Sequence, residues 1–237
     1  MKCYFQGCDN KGITKEHIPP RSFFPKGENE QLLTVRSCEL HNNRKASDDQ
    51  YVLAQICMNA SPSNRAREVF LKKIEPQLLH NDGAFKKMLS NGAVALPDGG
   101  VRYPVDLDRF DEFFTALSCG IIFKTCHEQL PENYFIHHQY PNFSSENGGE
   151  LGLRVLKEFE QLISGESIKA LDFGKPNTWN ERIYSVKVFG MPSFKASITV
   201  VHLFYGRFKV VSFLTNIRRQ AANNSIQPTS ESRRGLI

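Results

Sequence analysis

Apolar positions along the 237-residue chain change their period twice. Up to about residue 46 they are scattered among turn formers, and Leu32-Leu33-Thr34-Val35 is a short β-type run. Helical spacing follows. Ser47-Asp48-Asp49-Gln50 has the form of a capping box, with Ser at the N-cap and Gln three residues later. The helix after it sets Val52, Leu53, Ile56 and Cys57 on one face. Ser61-Pro62 predicts a second helix start, which carries Val69, Phe70 and Ile74 inward until Pro76 ends it. Pro97-Asp98-Gly99-Gly100 is a turn. Phe110, Phe113, Phe114, Leu117 and Ile121 predict a strong helix over 106–125, with acids in its first turns, where the helix dipole favours them. A further helix fits 150–163. His137-His138 reads as a loop feature without metal partners at suitable spacing. The last third alternates instead: Ile183 to Phe189, Ser197 to Phe204 and Phe208 to Leu214 predict at least three antiparallel strands, the last two joined at Tyr205-Gly206-Arg207. After Ile217 the chain is polar and reads as a loose tail.

These periods predict an α+β protein. We expect a small module over 1–60, a helical linker over 61–105, an α+β accessory domain over 106–216 and a basic flexible tail over 217–237. Composition changes that picture little. Hydrophobic residues at 40% and charged residues at 23% exclude wholesale disorder. No apolar run approaches the length needed to cross a bilayer, and the residues after Met1-Lys2-Cys3-Tyr4 lack a signal-peptide core. The expectation is a soluble, cytoplasmic protein with no membrane partner. A net charge of +5 is compatible with a nucleic-acid partner without demonstrating one. Among the six cysteines, Cys57 and Cys119 lie in apolar surroundings and read as buried free thiols, while Cys126 abuts His127.

The other three cysteines stand near histidines. Cys3-x4-Cys8 and Cys38-x2-His41 are two sulfur/nitrogen pairs, each close in sequence, and tetrahedral zinc is bound by two such pairs meeting at one metal. So short a module buries little apolar surface, so metal binding and folding would be coupled in it. Between the pairs lies Lys15-Glu16-His17-Ile18-Pro19-Pro20, a carboxylate beside an imidazole. On a strand these neighbours would face opposite ways unless the strand bends. Asn42-Asn43-Arg44-Lys45 directly follows the second pair, at the expected start of a short helix.

Glu16, His17 and Pro20, then Leu33-Thr34-Val35, then Cys38, His41, Asn42 and Lys45 together resemble the HNH endonucleases, and the stretch from Ser37 to Tyr51 resembles a zinc-braced bacterial subgroup. The resemblance covers about 50 residues. It departs from the family pattern at His41, where Cys is commoner, at Glu16, where Asp is commoner, and at the middle Asn, whose position falls on Gln31 with Asn29 nearby. It implies a ββα-metal fold braced by structural zinc on Cys3, Cys8, Cys38 and His41. It further implies His17 as general base and Glu16 and Asn42 as ligands of a catalytic Mg2+ or Mn2+. Apart from the resemblance, the basic side chains Lys11, Lys15, Arg21, Arg44 and Lys45 are candidates for phosphate contacts, and singly each reads as an ordinary solvated charge. The implied activity is hydrolysis of DNA phosphodiesters, in defence against foreign DNA, with a homodimer or a regulatory protein partner engaged through the C-terminal domain. Two rival expectations are a non-catalytic zinc module that binds nucleic acid or protein, and an RNA-cleaving toxin. Asp48 and Asp49 are explained as capping residues without a second metal.

Overall fold

The computed structural model describes residues 1–25, 27, 32–43, 46–60, 63–143, 183–190, 194 and 197–216. Before residue 44 the β-branched residues gather in two short strands, Thr14–Ile18 (β1) and Leu33–Ser37 (β2). They pair antiparallel, from Thr14 opposite Ser37 to Ile18 opposite Leu33. The helix Glu39–Asn43 (α1) follows at once, so Asn42 lies near its end and not at its start. The first twelve residues fold back through a bridge between Lys2 and Lys11, and the Tyr4 N–H donates to the Arg36 carbonyl of β2 at 2.9 Å.

A long buried helix, Ala46–Asn59 (α2), begins one residue before the expected cap. Asp48 and Asp49 stand in its first turn, where carboxylates suit the helix dipole without a Ser at the N-cap. The next helix, Asn64–Val69 (α3), is capped by Ser63, whose side chain accepts from the Ala66 N–H at 3.2 Å; the expected start at 61–62 lies outside the described residues. Pro76 does not end this helical run. A π-type turn over Phe70–Ile74 shifts the hydrogen bond to Glu75 N–H onto the Phe70 carbonyl, and a short helix, Glu75–Leu78 (α4), starts anew with Pro76 in its first turn. A missing N–H is harmless in that position.

Beyond a helix at Ala84–Leu89 (α5), the strands Val94–Ala95 (β3) and Val101–Arg102 (β4) form a small hairpin around the 97–100 turn. The central helix, Leu107–Cys126 (α6), is capped by Asp106 and ended by His127 in the left-handed region. Four strands, Tyr134–Gln139 (β5), Tyr184–Phe189 (β6), Ile198–Phe204 (β7) and Phe208–Asn216 (β8), make an antiparallel sheet in the order β5-β8-β7-β6. His137 and His138 therefore belong to a strand and not to a loop. His138 is buried, and its ring packs against α6. Polar composition hid this strand, because its inward histidine is satisfied only by partners distant in sequence. The expected helix over 150–163 and the tail after 217 lie outside the described residues.

The α6 helix mediates between the sheet and the N-terminal hairpin. Phe114 meets Phe204, while Phe23 stacks on Phe113 at 5.3 Å and approaches Phe204 at 5.4 Å. Near the other end, a Cβ on Gly120 would stand 2.9 Å from the Ile18 Cγ2 and 3.6 Å from the Tyr4 ring. The missing side chain lets β1 and Tyr4 press onto the helix. One hydrophobic core thus runs continuously from Cys3 to Leu214, across the segments expected as module, linker and accessory domain. The fold class is α+β.

Candidate functional site

Two tight turns bring four donors together. The first is the loop from Cys3 to Cys8, closed by the Cys8 N–H donating to the Phe5 carbonyl and by Gly7 at φ 67°. The second is the first turn of α1, where the Asn42 N–H donates to the Cys38 carbonyl. The Cys3, Cys8, Cys38 and His41 donor atoms all lie within 4.8 Å of one another, and the three thiols are buried. Cys8 Sγ and Cys38 Sγ are 3.9 Å apart, and His41 Nδ1 is 3.6 Å from Cys3 Sγ and 3.2 Å from Cys38 Sγ. A tetrahedral ion with metal–sulfur bonds of about 2.3 Å separates its sulfurs by roughly 3.8 Å, so the cluster is sized to hold a metal ion. Phe5 stacks on the His41 ring at 4.2 Å and fixes its plane.

The thiols are electrostatically unequal. Burial pushes Cys8 up to about 11. Burial also resists ionisation of Cys38, but the His41 backbone N–H and then hydrogen bonds from Cys3, Cys8 and Asn10 outweigh it and leave Cys38 below its ordinary value. The body of the protein holds the loop from outside. Gln129 Nε2 lies 2.6 Å from the Cys3 carbonyl, 3.0 Å from that of Phe5 and 2.8 Å from that of Cys8, while Gln6 Nε2 donates to the carbonyls of Pro131 and Tyr134. Nothing in the local sequence signals Gln129, because its partners lie more than 120 residues away.

Glu16 and His17 sit in the middle of β1. The Tyr4 hydroxyl donates to Glu16 Oε1 at 3.1 Å, and Glu16 Oε2 is buried. Alternation gives Glu16 the same strand face as Ile18, which packs against Gly120 of α6. His17 is half-buried beside Arg21. Burial first, then the Arg21 charge, lower its pKa below the ordinary value, while Glu16 pulls the other way. The imidazole is therefore neutral at pH 7 and able to accept a proton. Among the described residues no hydrogen bond engages the His17 ring or the Asn42 side-chain amide. The cluster thus draws its own four donors together, whereas Glu16, His17 and Asn42 are not linked through His17 or Asn42 by hydrogen bonds. Arg21 is exposed just beyond β1, and Arg44 and Lys45 lie outside the described residues. Asp48 has an explanation other than metal binding: it pairs with Arg109 at 3.2 Å, and that guanidinium also lies over the Tyr51 ring.

No helix among the described residues is long and apolar enough to cross a membrane. No protein-family model, curated protein or solved structure matches the chain.

Proposed function

We propose that this protein is a metal-dependent endonuclease of the HNH type that hydrolyses DNA phosphodiester bonds. The observation that carries the reading is the convergence of Cys3, Cys8, Cys38 and His41 at one point, within a hairpin-and-helix segment that also contains Glu16, His17 and Asn42. The donor set of three thiols and one imidazole favours zinc, held as a structural brace away from the chemistry. Mg2+ or Mn2+, taken up by the oxygens of Glu16 and Asn42, would supply charge stabilisation at the phosphate and the leaving oxygen. His17, neutral at pH 7, takes the proton from water as its oxygen attacks phosphorus. The bond to the 3′ oxygen breaks, that oxygen takes up a proton, and the products carry a 5′-phosphate and a 3′-hydroxyl. Tyr4 holds the Glu16 carboxylate in one orientation.

The decisive experiment incubates the purified protein with supercoiled plasmid and Mg2+ or Mn2+, alongside zinc analysis and a matching RNA substrate. The parent is expected to contain one zinc per chain and to nick the plasmid. His17→Ala should retain zinc and fold but lose cutting by at least about 100-fold, the usual scale of a general base. Equal cutting by His17→Ala, or no cutting with any divalent metal, would leave a zinc-braced binding module. Cleavage of RNA alone would redirect the proposal to an RNA-cleaving toxin.

A further inference from the structure

Beside the proposed site lies a cavity of about 490 Å3 between the turn that follows β1 and the α2–α4 helices. Arg21, Lys73, Asp49, Gln50 and Gln77 line it, with Leu53 supplying apolar wall. Lys73 is half-buried, and its ammonium donates to the Ser22 carbonyl at 2.8 Å and the Phe24 carbonyl at 2.5 Å. The Tyr205 hydroxyl donates to the carbonyl between them, that of Phe23, at 3.0 Å, so three successive carbonyls of this turn are capped. An ammonium has three hydrogens, and two carbonyls leave one for another acceptor. Neither Lys73 nor Arg21 pairs with a carboxylate among the described residues, although Asp49 lines the same cavity.

That arrangement is electrostatically incomplete. A half-buried cation is ordinarily paired, and burial lowers the Lys73 pKa against an opposing pull from Cys57. A second cation on the same wall, Arg21, which has no carboxylate partner among the described residues, adds to the field and stands four residues from His17. We infer that this cavity is a phosphate-binding subsite, in which Lys73 and Arg21 hold a phosphate of the nucleic-acid strand whose neighbouring phosphodiester lies at His17. The inference rests on the nuclease reading for the identity of its ligand. Lys73 and Tyr205 would thereby couple strand binding to the position of the turn that carries Arg21, since all three meet on the same few residues.

The test measures anisotropy of a fluorescent 16-mer DNA duplex in EDTA, across a series of NaCl concentrations. The parent is compared with Arg21→Gln, Lys73→Gln and Lys87→Gln, the last a control on the exposed face of α5. Loss of one phosphate contact should lower the slope of log K against log salt by about 0.9 and weaken binding several-fold near 0.1 M salt. We expect that change in Arg21→Gln and Lys73→Gln and none in Lys87→Gln. Among the described residues the Arg21 side chain makes no hydrogen bond or ion pair, so Arg21→Gln decides the matter should Lys73→Gln fail to fold. Inorganic phosphate and a mononucleotide, titrated as competitors, should displace the duplex only at far higher concentration than unlabelled duplex. Equal displacement by free phosphate would mean a site for small anions and would overturn the inference. A parent that cuts plasmid while Arg21→Gln keeps parental affinity and slope overturns the subsite alone. A parent that binds with the expected slope changes but never cuts overturns the nuclease reading and leaves the subsite standing. A parent that binds no oligonucleotide overturns the subsite, and the plasmid assay alone then decides the nuclease reading.

Discussion

Tyr4 occupies a point where two chemistries meet. Its neighbour Cys3 belongs to the cluster of thiols and imidazole that could hold a metal, its backbone N–H joins β2, and its hydroxyl donates to Glu16. Burial, then the Glu16 charge, push its own pKa well above the ordinary tyrosine value, so the hydroxyl keeps its proton and remains a donor at every physiological pH. Tyr4→Phe keeps the ring and removes the hydroxyl that donates to Glu16. Leaving a partly buried carboxylate short of one hydrogen bond should cost about 1–3 kcal/mol of stability, read from urea denaturation, with zinc content unchanged. On the nuclease reading the same variant should demand more Mg2+ for half-maximal cutting. A variant as stable as the parent and with unchanged Mg2+ dependence would show that Glu16 is oriented by something else. The four residues of the candidate metal cluster were legible in sequence from their types and spacing. Tyr4 was not, because its role depends on a strand register that only the hairpin establishes.

Among the elements, α6 packs against both the larger sheet and the N-terminal hairpin. Its apolar period was plain in sequence, and the helix appears where Phe110, Phe113, Phe114, Leu117 and Ile121 placed it. The glycine in its interior was not explained by that period. Gly120 ordinarily weakens a helix by about 0.5–1 kcal/mol relative to alanine, which would make Gly120→Ala a stabilising change. Here the added methyl would meet Ile18 at 2.9 Å, so overpacking should reverse the sign. We expect Gly120→Ala to destabilise by about 1–3 kcal/mol in chemical denaturation, the usual cost of forcing a methyl into a filled core. A gain in stability would mean that β1 yields easily, and with it the positions of Glu16 and His17. The π-type turn before Pro76 is a similar case. The proline was visible in sequence, but its accommodation by a shifted hydrogen bond depended on how the α3–α4 run packs against α2.

At the scale of the whole molecule, the core contains two imidazoles that bridge α6 to the sheet. His138 lies between Thr115 at 3.0 Å and Ser212 at 2.8 Å, and His202 lies between Ser118 at 3.2 Å and Tyr184 at 2.8 Å. Burial dominates in both and holds each down to about 3, against 6.5 for an exposed histidine. Below pH 6.5 the unfolded chain binds protons that the folded chain refuses. Their contribution to stability is therefore fully present above that pH and is lost progressively as the pH falls toward 3. Each should remove up to about 1.4 kcal/mol per pH unit within this window. The urea midpoint should fall between pH 6.5 and 5, before most carboxylates titrate, and His138→Gln with His202→Gln should flatten that dependence. A midpoint as steep in the double variant as in the parent would show that the acid sensitivity lies outside these two histidines.

Local chemistry was readable along the chain because it needs only neighbours: paired sulfur and nitrogen ligands within a turn, apolar residues at helical or alternating spacing, and glycines where a hairpin reverses. The α+β class and three of the four strands of the larger sheet followed from those patterns. Tertiary structure alone decided the rest. The strand containing His137 and His138, the three carbonyls gathered by Gln129, and the Lys73 ammonium seated on the Ser22 and Phe24 carbonyls beside the cavity all arise from residues dozens to more than a hundred positions apart. Their polar groups are satisfied, or left facing open space, only once the chain has packed, and no periodicity along the backbone carries that information.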